Sequence, residues 1–167
     1  FKAKINIPRI YKADESKGLI LMSDLGSNKY LDILTKETLY CLYTDAMDCI
    51  CKMQNEVDAL GLDKFDKSEQ MNEMSLFDEW YIGKHLEVNL SKKQSEELHQ
   101  CYEHIYTIIS KIPKSFMHRD FHSRNLMVTS EKNPGVLDYQ DAVIGPITYD
   151  IVSLLKDCYV AWDDETI

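Results

Sequence analysis

Apolar residues recur along this chain with two periods, and the changes between them divide it into elements. Ile5, Ile7 and Tyr11 mark an alternating stretch over residues 5–11 that reads as a strand or strand edge, with Pro8 at a boundary. Residues 14–18 form a turn, and Leu19-Ile20-Leu21-Met22 is a second, wholly apolar strand. It runs into Ser23-Asp24-Leu25-Gly26, where polarity rises and glycine loosens the backbone, as at a hinge. From Thr35 the period becomes helical, and Leu39, Leu42, Ala46, Ile50 and Met53 form one stripe. Residues 55–67 are polar and loop-like. A second helix is expected over 69–85, with Met74, Phe77 and Tyr81 on one side and Trp80 beside them. The third helix is the best specified. Ser91 and Gln94 make a capping box, Leu98, Tyr102, Ile105, Ile109 and Ile112 share a face, and Pro113 ends it. Three short strands follow at 115–118, 126–129 and 135–139, the last two joined by a turn at 131–134. Residues 145–150 read as a turn ending in an N-cap, Asp150, for a last helix carrying Ile151, Leu154, Leu155 and Cys158. The chain is thus α+β and helix-rich.

At 167 residues it can bury one core. A net charge of −9 excludes nucleic acid as the natural partner, because a phosphate backbone demands a basic face, and it suits a cationic small molecule. No apolar run reaches the roughly 20 residues of a membrane helix. The five cysteines are odd in number and lack a C-x-x-C pair, so they read as buried free thiols of a reducing, cytoplasmic compartment.

The chemistry concentrates in FMHRDFHSRNLMVTSEKNPGVLDYQD, residues 116–141. His118-Arg119-Asp120 is followed five positions after the aspartate by Asn125, and a second aspartate, Asp138, ends an apolar run. The strand–loop–strand–turn–strand arrangement is expected to bring Asp120, Asn125 and Asp138 to one end of a small sheet. Phosphoryl transfer needs such a set: a carboxylate to orient and deprotonate a hydroxyl, and an amide with a carboxylate to hold magnesium on phosphates. This is the H-R-D-x-x-x-x-N pattern of kinases with a later metal carboxylate. His118 is expected to pack beneath the loop. A zinc site at His118 and His122 is disfavoured, since that spacing converges only on a helix. Asp150 is explained by the cap alone, and Phe77, Trp80 and Tyr81 are expected in the core before a sugar platform.

With HRDFHSRNLM, PGVLDYQDAVIGPITYDIVSLLKDCY and LFDEWYIGKHL in place, the chain resembles the aminoglycoside phosphotransferase-like (choline kinase-like) kinases. Within that family it is most similar to the bacterial kinases that phosphorylate the anomeric hydroxyl of cell-wall amino sugars. The resemblance implies a protein kinase-like fold, mostly the helical C-terminal lobe with the last strands of the N-terminal lobe. Residues 1–26 would end the N-terminal lobe and form the hinge, and 27–167 would be a truncated catalytic lobe. It implies ATP and Mg2+ as cofactors, Asp120 as catalytic base, and Asn125 and Asp138 as metal ligands. His118 and Asp150 would support the loop. Leu21, Met22, Ser23, Asp24 and Leu25 would be the hinge that pairs with adenine, and Glu79 and Trp80 would face the substrate, an amino sugar in peptidoglycan recycling.

The sequence departs from that family before the hinge, where no glycine-rich loop is found and Lys2, Lys4 and Lys12 sit too close to serve as the phosphate-gripping lysine. A fragment of a two-lobed protein about twice this long is therefore expected, inactive alone. Only a short segment separates Asp138 from Asp150, too short for a phosphorylated activation loop, and Arg119 has no such phosphate to meet. An aminoglycoside kinase is the alternative within the class, and a catalytically silent binding module the alternative outside it. Oligomeric state leaves no mark in the sequence.

Overall fold

The computed structural model describes residues 3–163 and 165–166, so Lys2 lies outside it. In order come strands β1 (Ile10–Asp14) and β2 (Leu19–Met22), then helices α1 (Tyr30–Ile33), α2 (Leu39–Glu56) and α3 (Lys67–Leu76). Helix α3 continues into a π-helical segment, Phe77–His85, and α4 (Lys92–Ile109) follows. Strands β3 (Lys114–Met117), β4 (Leu126–Met127), β5 (Gly135–Val136) and β6 (Val143–Pro146) precede helix α5 (Tyr149–Leu155).

β1 and β2 form an antiparallel hairpin. Its turn is fixed by the Asp14 carboxylate, which accepts from the Ser16 hydroxyl and the Lys17 amide, and by Gly18 in the left-handed region. The alternation expected from residue 5 becomes a strand only at Ile10. Upstream, the Asn6 carbonyl accepts from Val136 N at 2.7 Å and its side chain donates to Thr129 at 3.2 Å. This segment is tied by one bond to β5 and one to Thr129, and Pro8 cannot donate to a ladder.

The stripe of α2 works as its periodicity predicts. Leu42, Tyr43, Ala46, Cys49, Ile50 and Met53 are buried against Tyr30, Phe121, Leu126, Val136 and Leu154. Helix α4 opens on the Ser91–Gln94 capping box. Helix α3 starts at Lys67 because the Asp66 side chain accepts from Glu69 N.

Five expectations are corrected. The single helix over 69–85 widens after Leu76 into the π-helical segment. Its looser turn lines up residues four apart, so that Phe77 stacks on Tyr81 at 5.2 Å and Tyr81 on His85 at 5.5 Å. Phe77, Trp80 and Tyr81 are not core but about half exposed or more. The strands after α4 make no single sheet: β3 pairs with β6 and β4 with β5, each antiparallel. β6 takes Gly145 and Pro146 from the stretch read as a turn, leaving the turn at residues 147–148, and Gly145 serves close approach there, since a Cβ would press on the Met117 side chain. Finally, all five cysteines are free, but only Cys49 is buried.

Candidate active site

The loop from His118 to Asn125 leaves the end of β3 and returns into β4. Its middle is anchored by Phe121, which is fully buried in the α2 core, so that its neighbour Asp120 is turned outward and partly exposed. Its ends are anchored by buried carboxylates. Asp150, in the first turn of α5, accepts from His118 N at 2.9 Å and Arg119 N at 3.1 Å. Asp157, just beyond α5, accepts from Ser123 N at 2.8 Å. Asp150 is therefore no N-cap: Thr148 holds that position, and the Asp150 carboxylate serves the loop. Burial pushes the Asp150 pKa up to about 6 against the pull of the two amides. His118 is fully buried with its ring edge-on to Phe121 at 5.7 Å. Burial holds it below the ordinary imidazole value, opposed by the Leu137 backbone and the Asp120 and Asp138 carboxylates, so it is neutral near pH 7. It packs under the loop.

Asn125 and Asp138 meet. The Asn125 amide donates to the Asp120 carbonyl at 3.0 Å and to Asp138 Oδ2 at 3.3 Å. The Asn125 carbonyl accepts from Leu137 N at 2.9 Å, which fixes the approach of the Asp138 strand end. Asp138 sits at φ +64 and its Oδ1 accepts from Gln140. These groups line a cleft of about 450 Å³ with Asp120, His122, Arg124, Lys29 and Tyr159. The donor set suits magnesium. It offers one carboxylate and one amide oxygen beside an open cleft, and no cluster of three or more His, Cys, Asp or Glu forms a cage among the described residues. Magnesium takes few protein ligands and completes its shell with phosphate and water.

A second cleft of about 320 Å³ lies at the stretch expected to be the hinge, lined by Pro8, Met22, Ser23, Asp24, Leu25, Gly26, Met127 and Leu137. Leu137 borders both clefts, so they lie next to each other on either side of this side chain. Leu21 stays in the hairpin ladder opposite Lys12 and does not line the hinge cleft. The Ser23 amide is taken by the Arg9 carbonyl at 2.9 Å, and the Gly26 amide by Asp24. Glu79 and Trp80 lie exposed on the π-helical segment and line neither cleft.

Sequence reasoning missed Asp157, Lys29, Arg124, Tyr159 and Glu73. Arg124 lies over the Tyr159 ring at 4.8 Å, and His122 meets the same ring edge-on at 5.4 Å. Arg119 does have an anionic partner: its Nη2 donates to Glu73 Oε1 at 2.5 Å.

Residues 2–167 match the model of the APH family, the phosphotransferase enzyme family. This chain belongs to that family. It is 38% identical over 160 residues to the N-acetylmuramate/N-acetylglucosamine kinase of Pseudomonas putida, covering 96% of this chain and 47% of that protein. The kinase of the same name from Neisseria meningitidis is 35% identical over 167 residues, covering 98% and 50%. The chain thus spans about half the length of the curated relatives it matches. Among solved structures it is similar to the ADP-bound aminoglycoside phosphotransferase APH(2'')-Ib, at 19% identity and a TM-score of 0.63, over 98% of this chain and 57% of that one. The fold is protein kinase-like. No helix among the described residues is long and apolar enough to cross a membrane.

Proposed function

We propose that the full-length protein is a cytoplasmic ATP- and magnesium-dependent kinase that phosphorylates the anomeric hydroxyl of a cell-wall amino sugar in peptidoglycan recycling. The observation that carries it is the meeting of Asn125 and Asp138 beside Asp120, in a cleft that shares Leu137 with the cleft at residues 22–26. The identity to amino-sugar kinases supports this substrate class over aminoglycosides. Residues 1–26 end an N-terminal lobe and form the hinge, and 27–167 belong to the catalytic lobe. Asp24 and Leu25, whose amides take no partner among the described residues, pair with adenine. Asn125 and Asp138 hold the metal, which screens phosphate charge when bound. Asp120 accepts the proton of the attacking hydroxyl, and Asp150 and Asp157 keep the loop that carries it in register.

The test is Asp120→Asn in the full-length protein, assayed by ADP release with N-acetyl amino sugars and with kanamycin-type antibiotics. Turnover with the amino sugar is expected to fall about 10³- to 10⁴-fold while nucleotide binding persists. A wild-type rate in the variant would show that Asp120 is not the base. Turnover of the antibiotics alone by the unaltered protein would move the substrate to the aminoglycosides.

A further inference from the structure

We infer that Glu73, on α3, is a positioning residue that sets the direction of Asp120 through Arg119, and the inference rests on the assignment of Asp120 as base. Arg119 directly precedes Asp120 and sits at φ +78, a left-handed backbone that L side chains adopt only where their surroundings impose it. Two contacts impose it here. The Arg119 amide donates to Asp150 Oδ1 at 3.1 Å, and the guanidinium donates to Glu73 Oε1 at 2.5 Å. The other Glu73 oxygen accepts from the Tyr149 hydroxyl at 3.1 Å, and Tyr149 is the chain neighbour of Asp150. The bonds close a ring through the Arg119 backbone, Asp150, Tyr149, Glu73 and the Arg119 side chain. Phe65 supports the ring from one side, 5.6 Å from the guanidinium and edge-on to Tyr149 at 5.6 Å.

The Arg119 and Glu73 side chains remain 29% and 30% exposed, so the pair adds little to overall stability. Its effect is geometric, because a guanidinium held at one end and an amide held at the other fix the backbone of Arg119, from which the chain passes directly to Asp120. In protein kinases a phosphate on the activation loop makes such arginine contacts and orders the site on demand. Here a carboxylate built into α3 occupies the arginine permanently. The loop is thus set without modification, and α3, which carries the exposed aromatic segment at its end, is tied directly to it.

The experiment uses the full-length protein with Glu73→Ala, Glu73→Gln, Tyr149→Phe, Arg119→Met and the Arg119→Met/Glu73→Ala double variant. The kcat of Glu73→Ala is expected to fall about 10- to 100-fold, with nucleotide KM within about twofold. The double variant is expected to lose no more than either single one. Hydrogen exchange at the Arg119 amide should quicken about tenfold in Glu73→Ala. A wild-type kcat per folded molecule, or a loss matched entirely by a lower folded fraction, overturns the inference. Should Glu73→Ala fail to fold, the Gln and Phe variants decide, and unchanged kcat with unchanged Arg119 exchange in both overturns it. Should the unaltered protein phosphorylate no hydroxyl acceptor, the base assignment fails instead. Arg119 exchange then still decides: acceleration supports the role of Glu73, and no change overturns it.

Discussion

Asp150→Asn separates the charge of Asp150 from its hydrogen bonding. The side chain is 1% exposed and holds two backbone amides, yet burial, with some help from the Asp120 charge, lifts its pKa from the ordinary 3.8 to about 6. Between those values the folded state keeps a proton that the unfolded chain has released. The stability this group contributes is therefore fully present below the unfolded pKa and is lost as pH rises through the folded one. At about 1.4 kcal/mol per pKa unit, that swing is about 3 kcal/mol. Asparagine cannot titrate. It keeps one oxygen for one amide, and orphaning the other costs about 1–3 kcal/mol. Above about pH 6 the relief of the buried charge and the lost acceptor nearly cancel, whereas at about pH 4 only the loss remains. Denaturant unfolding of the full-length protein and its Asp150→Asn variant, from about pH 4 to about pH 8, should show the wild type's advantage shrinking by about 3 kcal/mol. A difference constant to about 0.5 kcal/mol over that range would refute the reasoning, because the carboxylate would then be as ionised in the fold as outside it.

Asp138→Asn is expected to raise the magnesium needed for half-maximal ADP release by at least about tenfold. An unchanged magnesium titration would remove Asp138 from the ligand set. Gly145→Ala places a methyl against Met117, itself 1% exposed, and should cost about 1–3 kcal/mol in denaturant unfolding. A neutral result would mean β6 can move off β3. His118→Leu removes a buried, neutral ring that packs under the loop against Phe121, so turnover should stay within about fivefold of wild type. A larger loss gives the ring a chemical part.

The sequence was most informative where contacts are local. The α2 stripe and the Ser91 cap are decided within a few turns of chain and lie where their patterns placed them, while Asp120, Asn125 and Asp138 come together as expected but between two separate ladders and not on one sheet. What escaped is non-local. Glu73 reaches Arg119 across 46 positions and Asp157 reaches Ser123 across 34, and no periodicity encodes either bond. The pairing of β3 with β6 was hidden because glycine and proline in β6 mimic a turn, although one provides clearance for Met117. Phe77, Trp80 and Tyr81 misled for another reason. Aromatic residues at helical spacing look alike whether they fill a core or stand on a surface.

The loop's design follows from its depth. A segment that enters the core at Phe121 brings its own amides with it, and buried amides without acceptors are costly. The apolar stripe of α2 can hold the phenyl ring but cannot accept a hydrogen bond. Carboxylates from α5 and the turn after it take the amides of 118, 119 and 123, although burying Asp150 raises its pKa. Apolar packing thus fixes how deep the loop sits, and the two aspartates fix how it is turned. The left-handed backbones fall at Asp138, which lines the cleft, and at Arg119, next to Asp120, which also lines it, so the least permissive conformations of the site fall where direction matters most.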